Sequence, residues 1–121
     1  MAGKPLLFTP LTIRGVTMKN RVVISPMATY QAVEGLATDW HLAHYGRFVL
    51  GGAGTVMVEA TAVTAQGRIT NGDLGIWSGA HIAGHKRVVD FMKQWGVTPA
   101  IQLAHAGRKG SMQRAYRGNG P

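Results

Sequence analysis

Gln102 stands inside an apolar run, Ala100-Ile101-Gln102-Leu103-Ala104, and is the first residue whose chemistry asks for an explanation. An amide buried without partners costs roughly 1–3 kcal/mol, so a lone carboxamide in a core strand points to a ligand, with a structurally satisfied amide as the alternative. Its two donors and its acceptor suit the alternating edge of a heterocycle. Ser25-Pro26-Met27-Ala28 and Glu59-Ala60-Thr61 also end apolar runs, and His105 follows Gln102 closely. Parallel sheets bind their ligands at such C-terminal strand ends, so these stretches form one candidate site. Glu59 reads as a residue that holds a loop rather than as a base. His41 with His44, and His81 with His85, have the spacing of helical metal pairs, but neither has a third ligand or the glutamate of a zincin motif. They read as helix-surface or interhelical hydrogen-bonding residues, and no metal is expected.

The elements that must position these residues alternate along the chain. Residues 6–20 read as a hairpin turning at Gly15, ahead of the main fold. The β-branched run Val22, Val23 and Ile24 predicts a strand over 21–25, which Pro26 stops by removing a backbone donor. Thr38 is placed to cap a helix carrying Leu42, Tyr45, Phe48 and Val49 on one face. Gly51-Gly52-Ala53-Gly54 looks like a phosphate loop, but it follows a helix and precedes a strand, the reverse of the order that aims amides at phosphate. It reads as a helix stop. Thr55 to Ala60 predicts a second strand, Thr61 to Trp77 a polar loop, and Ser78 the cap of a helix with Ile82, Val88, Val89, Met92 and Trp95 inward until Gly96. Trp40, Trp77 and Trp95 read as packing residues. Thr98 to Ala104 is the third strand, and the tail from His105 to Pro121 shows no further helix or strand pattern.

Order and apolarity together give an α/β parallel sheet with right-handed crossovers. Three strands and two helices leave edges unpaired and sheet faces uncovered. The expected fold is therefore the N-terminal portion of a (β/α)8 TIM barrel, a hairpin plus about three βα units across residues 1–121, incomplete by itself. The chain has 121 residues and no cysteine, which excludes disulfides and thiol nucleophiles and agrees with a reducing compartment. It has no signal-peptide pattern and no apolar run of membrane-spanning length, so a cytoplasmic protein without membrane contact is expected. Thirteen Lys and Arg against five Asp and Glu give a net charge of +8, but only Arg108, Lys109, Arg114 and Arg117 cluster. With no nucleic-acid-binding motif beside them, they read as a solvated or phosphate-facing loop.

Five collinear stretches, "RVVISPMATY", "TDWHLAHYG", "VEATAVTAQGRIT", "DLGIWS" and "IQLAHAGRK", resemble the N-terminal part of the Old Yellow Enzyme family of flavin-dependent ene-reductases, in its YqjM-like and xenobiotic-reductase-like bacterial branch. The resemblance implies a barrel that holds FMN noncovalently at its strand ends, reduced by NADPH or NADH, behind a hairpin lid at the barrel bottom. By it, Ser25, Pro26, Met27 and Ala28 run along the flavin through main-chain contacts, Ala60 abuts the ring, Gln102 bonds its pyrimidine edge, and Tyr30 faces the substrate. Small residues there let backbone approach a flat ring. Many members carry cysteine where this chain has Ala28, which bears on redox tuning. The family's substrate-anchoring histidines, its proton-donating tyrosine and its phosphate-holding residues fall beyond position 121, so no catalytic residue is assigned here.

The function implied is NAD(P)H-driven reduction of activated alkenes, enones or nitroalkenes, once the C-terminal remainder of the barrel, as a second chain, completes the site. A homodimer of the completed enzyme is a further expectation. Two other classes stay open: a non-catalytic flavin- or nucleotide-binding half-barrel, and a basic nucleic-acid-binding module.

Overall fold

The computed structural model describes residues 3–118 and 120; the end of the chain at Pro121 lies outside them. After a 3-10 turn at Leu6–Phe8, β1 (Leu11–Ile13) and β2 (Val16–Met18) form an antiparallel hairpin. Its turn uses Arg14 at φ 52° ahead of Gly15. Lys19 Nζ donates to Trp95 O at 3.0 Å and Asn20 Nδ2 to Gly52 O at 2.8 Å, which seats the segment after the hairpin where the helices end and the strands begin.

The main sheet is parallel. β3 (Val23–Ile24) pairs with the start of β4 (Thr55–Ala62), and β6 (Thr98–Ala104) pairs along the opposite edge of β4. The strand expected over 21–25 is thus shorter. Its first residues serve as a joint instead: Asn20 Oδ1 accepts from Val22 N, while Gly54 N and Thr55 N both donate to Val22 O. The loop expected over 61–77 contains β5 (Leu74–Gly75), which pairs with the last two residues of β4 on the edge that β3 occupies lower down.

α1 (Asp39–Leu50) and α2 (Ile82–Gln94) pack on one another and on one face of the sheet. Tyr45, Val49, Val56, Val58, Val88, Met92 and Val97 make a single buried cluster, with Phe48 and Phe91 packed at its margin. Gly51 closes α1 and Gly52 follows at φ 89°, a conformation that favours glycine, so the glycine run is a helix stop. Gly54 has a second reason: a Cβ there would stand 2.3 Å from Asn20 O. The inward face expected for α2 needs correction, because Ile82 is exposed and Trp95 lies past the helix and is half exposed. Trp40 is exposed as well; of the three tryptophans, Trp77 is the one that packs closely, its ring lying where a Cβ on Gly75 would reach.

The tail also differs from expectation. It forms 3-10 turns at Gly107–Lys109 and Ala115–Arg117 and folds back on the connection between β4 and β5 through an isolated parallel bridge between Thr70 and Met112. Among the described residues, no helix is long and apolar enough to cross a membrane.

Candidate functional site

The register between β4 and β6 carries the most informative irregularity. Val58 opposes Ile101 and Thr61 opposes Leu103, so Glu59 and Ala60 together face the single residue Gln102. This is a β-bulge, the device that re-aims side chains beside binding sites. In a regular strand Val58 and Glu59 would point to opposite faces. Here Val58 packs in the helix-side cluster and Glu59 reaches Tyr45 of α1. Ala60 is left as the small residue next to Gln102.

Gln102 is exposed, which corrects the expectation of burial: β6 is an edge strand, and nothing among the described residues covers it. Its carboxamide makes no hydrogen bond among the described residues. Ser25 and Met27 are exposed, Pro26 and Ala28 half-buried. From Pro26 to Ala28 the main chain has no hydrogen-bond partner among the described residues, so its polar groups are open. Because β3, β4 and β6 run parallel, these stretches lie at the same, C-terminal end of the sheet.

Glu59 is fully buried and organises what lies beneath. Its carboxylate accepts from Thr29 N at 2.6 Å, from Thr29 Oγ1 at 3.0 Å and from Tyr45 Oη at 3.0 Å, while its own N–H donates to Tyr45 Oη at 2.9 Å. Holding a loop is therefore what it does. Burial, and next the Glu59 charge, push the Tyr45 phenol far up, so it stays a donor. Tyr30, adjacent to Thr29, has φ 57°, a left-handed conformation that costs a bulky residue about 1–3 kcal/mol. It persists because the segment is held on its other side too. Ala32 N donates to Gly72 O at 2.9 Å, Tyr116 Oη to Tyr30 O at 3.3 Å, and Arg114 Nη2 to Ala32 O at 3.4 Å. Gly72 is required, since a Cβ would lie 2.4 Å from Tyr30 O. Asp73, buried, shapes that turn by accepting from Ile69 N and from Thr70 N and Oγ1.

The histidines belong to the scaffold. Thr38 and Ser78 each precede a helical start by one residue and each has a histidine three positions on, where a capping box ordinarily has Glu or Gln. His41 Nδ1 accepts from Thr38 N at 3.0 Å, and His81 Nδ1 from Ser78 N at 3.2 Å. The two residues share this role, a likeness legible as Thr/Ser-x-x-His. His41 is fully buried, and burial lowers its pKa from 6.5 to about 4. Its Nε2 has no hydrogen-bond partner, the nearest carboxylate oxygen being Glu59 Oε1 at 3.8 Å. His44 packs edge-on against Tyr45 and Phe48, and burial lowers its pKa too. His85 Nε2 lies 2.9 Å from Gly75 O.

Sequence reasoning missed a basic cavity of about 650 Å³ between the segments 65–71 and 111–117, with Arg68, Arg114 and Arg117 in its wall. None of the expected site residues lines it. Arg114 is already engaged, its Nε donating to Asn71 Oδ1 at 3.0 Å, so part of the basic cluster is structural.

A parallel α/β unit whose central strand is bulged opposite Gln102 defines the class: a segment of an α/β barrel. The chain belongs to the NADH:flavin oxidoreductase / NADH oxidase family, which it matches over residues 6–121. It is 53% identical over 108 residues to an NADPH dehydrogenase of Bacillus cytotoxicus, covering 88% of this chain and 31% of that one. With an NADPH dehydrogenase of Bacillus subtilis it shares 50% over 109 residues, covering 88% and 32%. Among solved structures, a morphinone reductase matches with TM-score 0.80 and 31% identity, covering 89% of this chain and 28% of that one. The old yellow enzyme from Trypanosoma cruzi matches with TM-score 0.81 and 31% identity, covering 88% and 28%. The chain thus spans about a third of the length of these relatives.

Proposed function

We propose that residues 1–121 form one wall of an FMN site in a (β/α)8-barrel oxidoreductase of the cytoplasm, completed by the remainder of the barrel. The observation that carries this reading is the bulge that sets Glu59 and Ala60 against Gln102, beside the open main chain of Pro26 to Ala28. The fit to a flavin is chemical. A free carboxamide offers donors and an acceptor to a pyrimidine edge, a methyl-sized neighbour leaves room for a flat ring, and unpaired main-chain groups supply further hydrogen bonds. Gln102 would hold the ring edge, Ala60 would abut the ring, Ser25 to Ala28 would line it, and Tyr30 would face the substrate.

When bound, FMN supplies hydride chemistry between a nicotinamide and an electron-poor alkene. This chain's own part is to bind and orient the ring and to shape one side of the substrate space. A nicotinamide reductant is supported by relatives named NADPH dehydrogenase and by a morphinone reductase solved in complex with tetrahydroNAD. The substrate class is activated alkenes, enones and nitroalkenes, and the completed enzyme is proposed to dimerise.

The test is to join this chain to the downstream part of the barrel of its Bacillus subtilis relative, purify the assembly and measure flavin content. Stoichiometric FMN and enone-dependent NADPH oxidation are expected. A folded assembly that takes up no FMN would overturn the reading.

A further inference from the structure

Thr29 sits between Ala28 and Tyr30, so whatever fixes Thr29 fixes both neighbours. Its N–H and its hydroxyl both donate to Glu59, and the N–H contact, at 2.6 Å, is the shortest of the set. Glu59 is free to reach it because the bulge turns that side chain away from the face its position in a regular strand would give it. Tyr45 locks the carboxylate from behind by donating to Oε1 while accepting from the Glu59 N–H. Tyr30 follows at φ 57° and is clamped on its far side by the Gly72 turn and by Tyr116. A strained residue gripped from both sides is held rather than relaxed, and strain of this kind gathers where a side chain must be aimed.

We propose that Glu59 is a positioning residue: through Thr29 it sets the main chain of Pro26 to Ala28 and holds Tyr30 in its strained conformation, so that flavin contact and substrate contact depend on one buried carboxylate. The proposal rests on the FMN reading above for what the segment touches, but the tether itself is a property of this chain. One bulge therefore serves both sides of the site: it presents Ala60 beside Gln102, and it sends Glu59 back to hold the facing segment. Neither Glu59 nor Thr29 needs to meet a ligand for this.

The experiment compares Glu59→Leu, Glu59→Asp and Glu59→Gln in the FMN-loaded assembly of this chain with the rest of its barrel. Val88→Ala serves as a core variant on α2, a helix that, among the described residues, makes no hydrogen bond to residues 25–33. Hydrogen–deuterium exchange of residues 25–33 is read together with the visible flavin band, and KM for an enone is read separately from kcat. Glu59→Leu removes every acceptor, and Glu59→Asp withdraws the carboxylate by one methylene; either should speed exchange in 25–33 and raise KM by about tenfold or more, and shift the flavin band. Glu59→Gln keeps an acceptor for the Thr29 N–H and should return KM and exchange to within about threefold of the parent. Val88→Ala should lower the melting temperature and leave exchange in 25–33 and KM within about twofold. If Glu59→Leu does not assemble, Glu59→Asp carries the comparison. Parent-like exchange in Glu59→Asp, or a KM that Val88→Ala moves as far as the Glu59 variants do, would overturn the proposal. A parent assembly without FMN would overturn the functional reading instead, and the exchange comparison would still decide the tether.

Discussion

Replacing His41 with glutamine should flatten the dependence of stability on pH without weakening the start of α1. In the folded chain, His41 Nδ1 spends its lone pair on the Thr38 N–H, and a proton arriving there would have to displace that bond inside a fully buried site. Burial accordingly holds the pKa at about 4, against 6.5 for a free imidazole. Between those values the unfolded chain binds a proton that the folded chain refuses. The stabilisation is complete above pH 6.5 and is lost as pH falls towards 4, by about 1.4 kcal/mol per pH unit and ~3 kcal/mol in all. Glutamine is the ordinary partner at this position of a capping box, so the amide introduced by His41→Gln retains an acceptor for Thr38 N and removes the titration. The assay is urea unfolding of the assembled barrel, parent against His41→Gln, from pH 4 to 8. His44, whose pKa is also lowered, and the carboxylates contribute to both curves, so the difference isolates His41. The difference curve should rise with pH up to about 6.5 and then level off. Parallel curves across that range would refute the reasoning, as would nitrogen chemical shifts showing His41 protonated at pH 6.

Gln102→Leu keeps volume and removes the free carboxamide; losing one or two hydrogen bonds of ~0.5–1.5 kcal/mol each should weaken FMN binding several-fold to a hundred-fold, read by flavin fluorescence titration. Unchanged affinity would remove Gln102 from the site. Ala28→Cys puts a polarizable sulfur where a methyl stands and should move the flavin band and shift the potential by tens of millivolts, ~30 mV for each 1.4 kcal/mol. Val33→Cys, at an exposed position of the same segment, is the control, and equal effects from both would argue against Ala28 lying beside the ring. Gly72→Ala would set a methyl 2.4 Å from Tyr30 O and should lower the melting temperature and raise KM together; an unperturbed variant would show that the turn has room to yield. Residues 1–121 alone leave Val23, Met27, Ile101 and Leu103 exposed around the strand ends, so they should bind a hydrophobic dye and melt without cooperativity; a sharp transition with intact near-ultraviolet dichroism would contradict this.

The parts of the fold legible in the sequence are those fixed by local chemistry. Thr38 and the glycines after Leu50 bound α1, Gly96 follows α2, and the apolar run from Thr98 to Ala104 is β6 to the residue. What could not be read depends on partners distant in the chain. β3 has only its two paired residues, Val23 and Ile24, and how far it pairs depends on β4, more than thirty positions away in the chain. The bulge exists only as a mismatch between two strands, and no property of Glu59 or Ala60 taken alone announces it. Exposure of Gln102 follows from the edge position of β6, whereas its apolar neighbours suggested a covered strand. The role of Glu59 as a holder of a loop was legible from its place at a strand end, but its grip on Thr29 was not, since thirty positions separate them. Arg114 read as part of a charged tail, and its bond to Asn71 appears only once the tail has folded back.

The bulge also makes residue count in β4 a quantity the chain must conserve. The hairpin turn at Arg14 and Gly15 is an exposed connection with open space around Gly15, and connections of that kind absorb insertions at small entropic cost, since doubling a loop adds only about 0.6 kcal/mol. One residue removed between Val58 and Thr61 is a different kind of change. It would restore regular pairing with β6, and the alternation of a regular strand would then assign the carboxylate to the face opposite Val58, leaving Thr29 N–H and Tyr45 Oη without their acceptor. For anyone grafting or shuffling this barrel, the safe junctions are in its loops, and the spacing from Val58 to Thr61 should travel as a single unit with Thr29 and Tyr45.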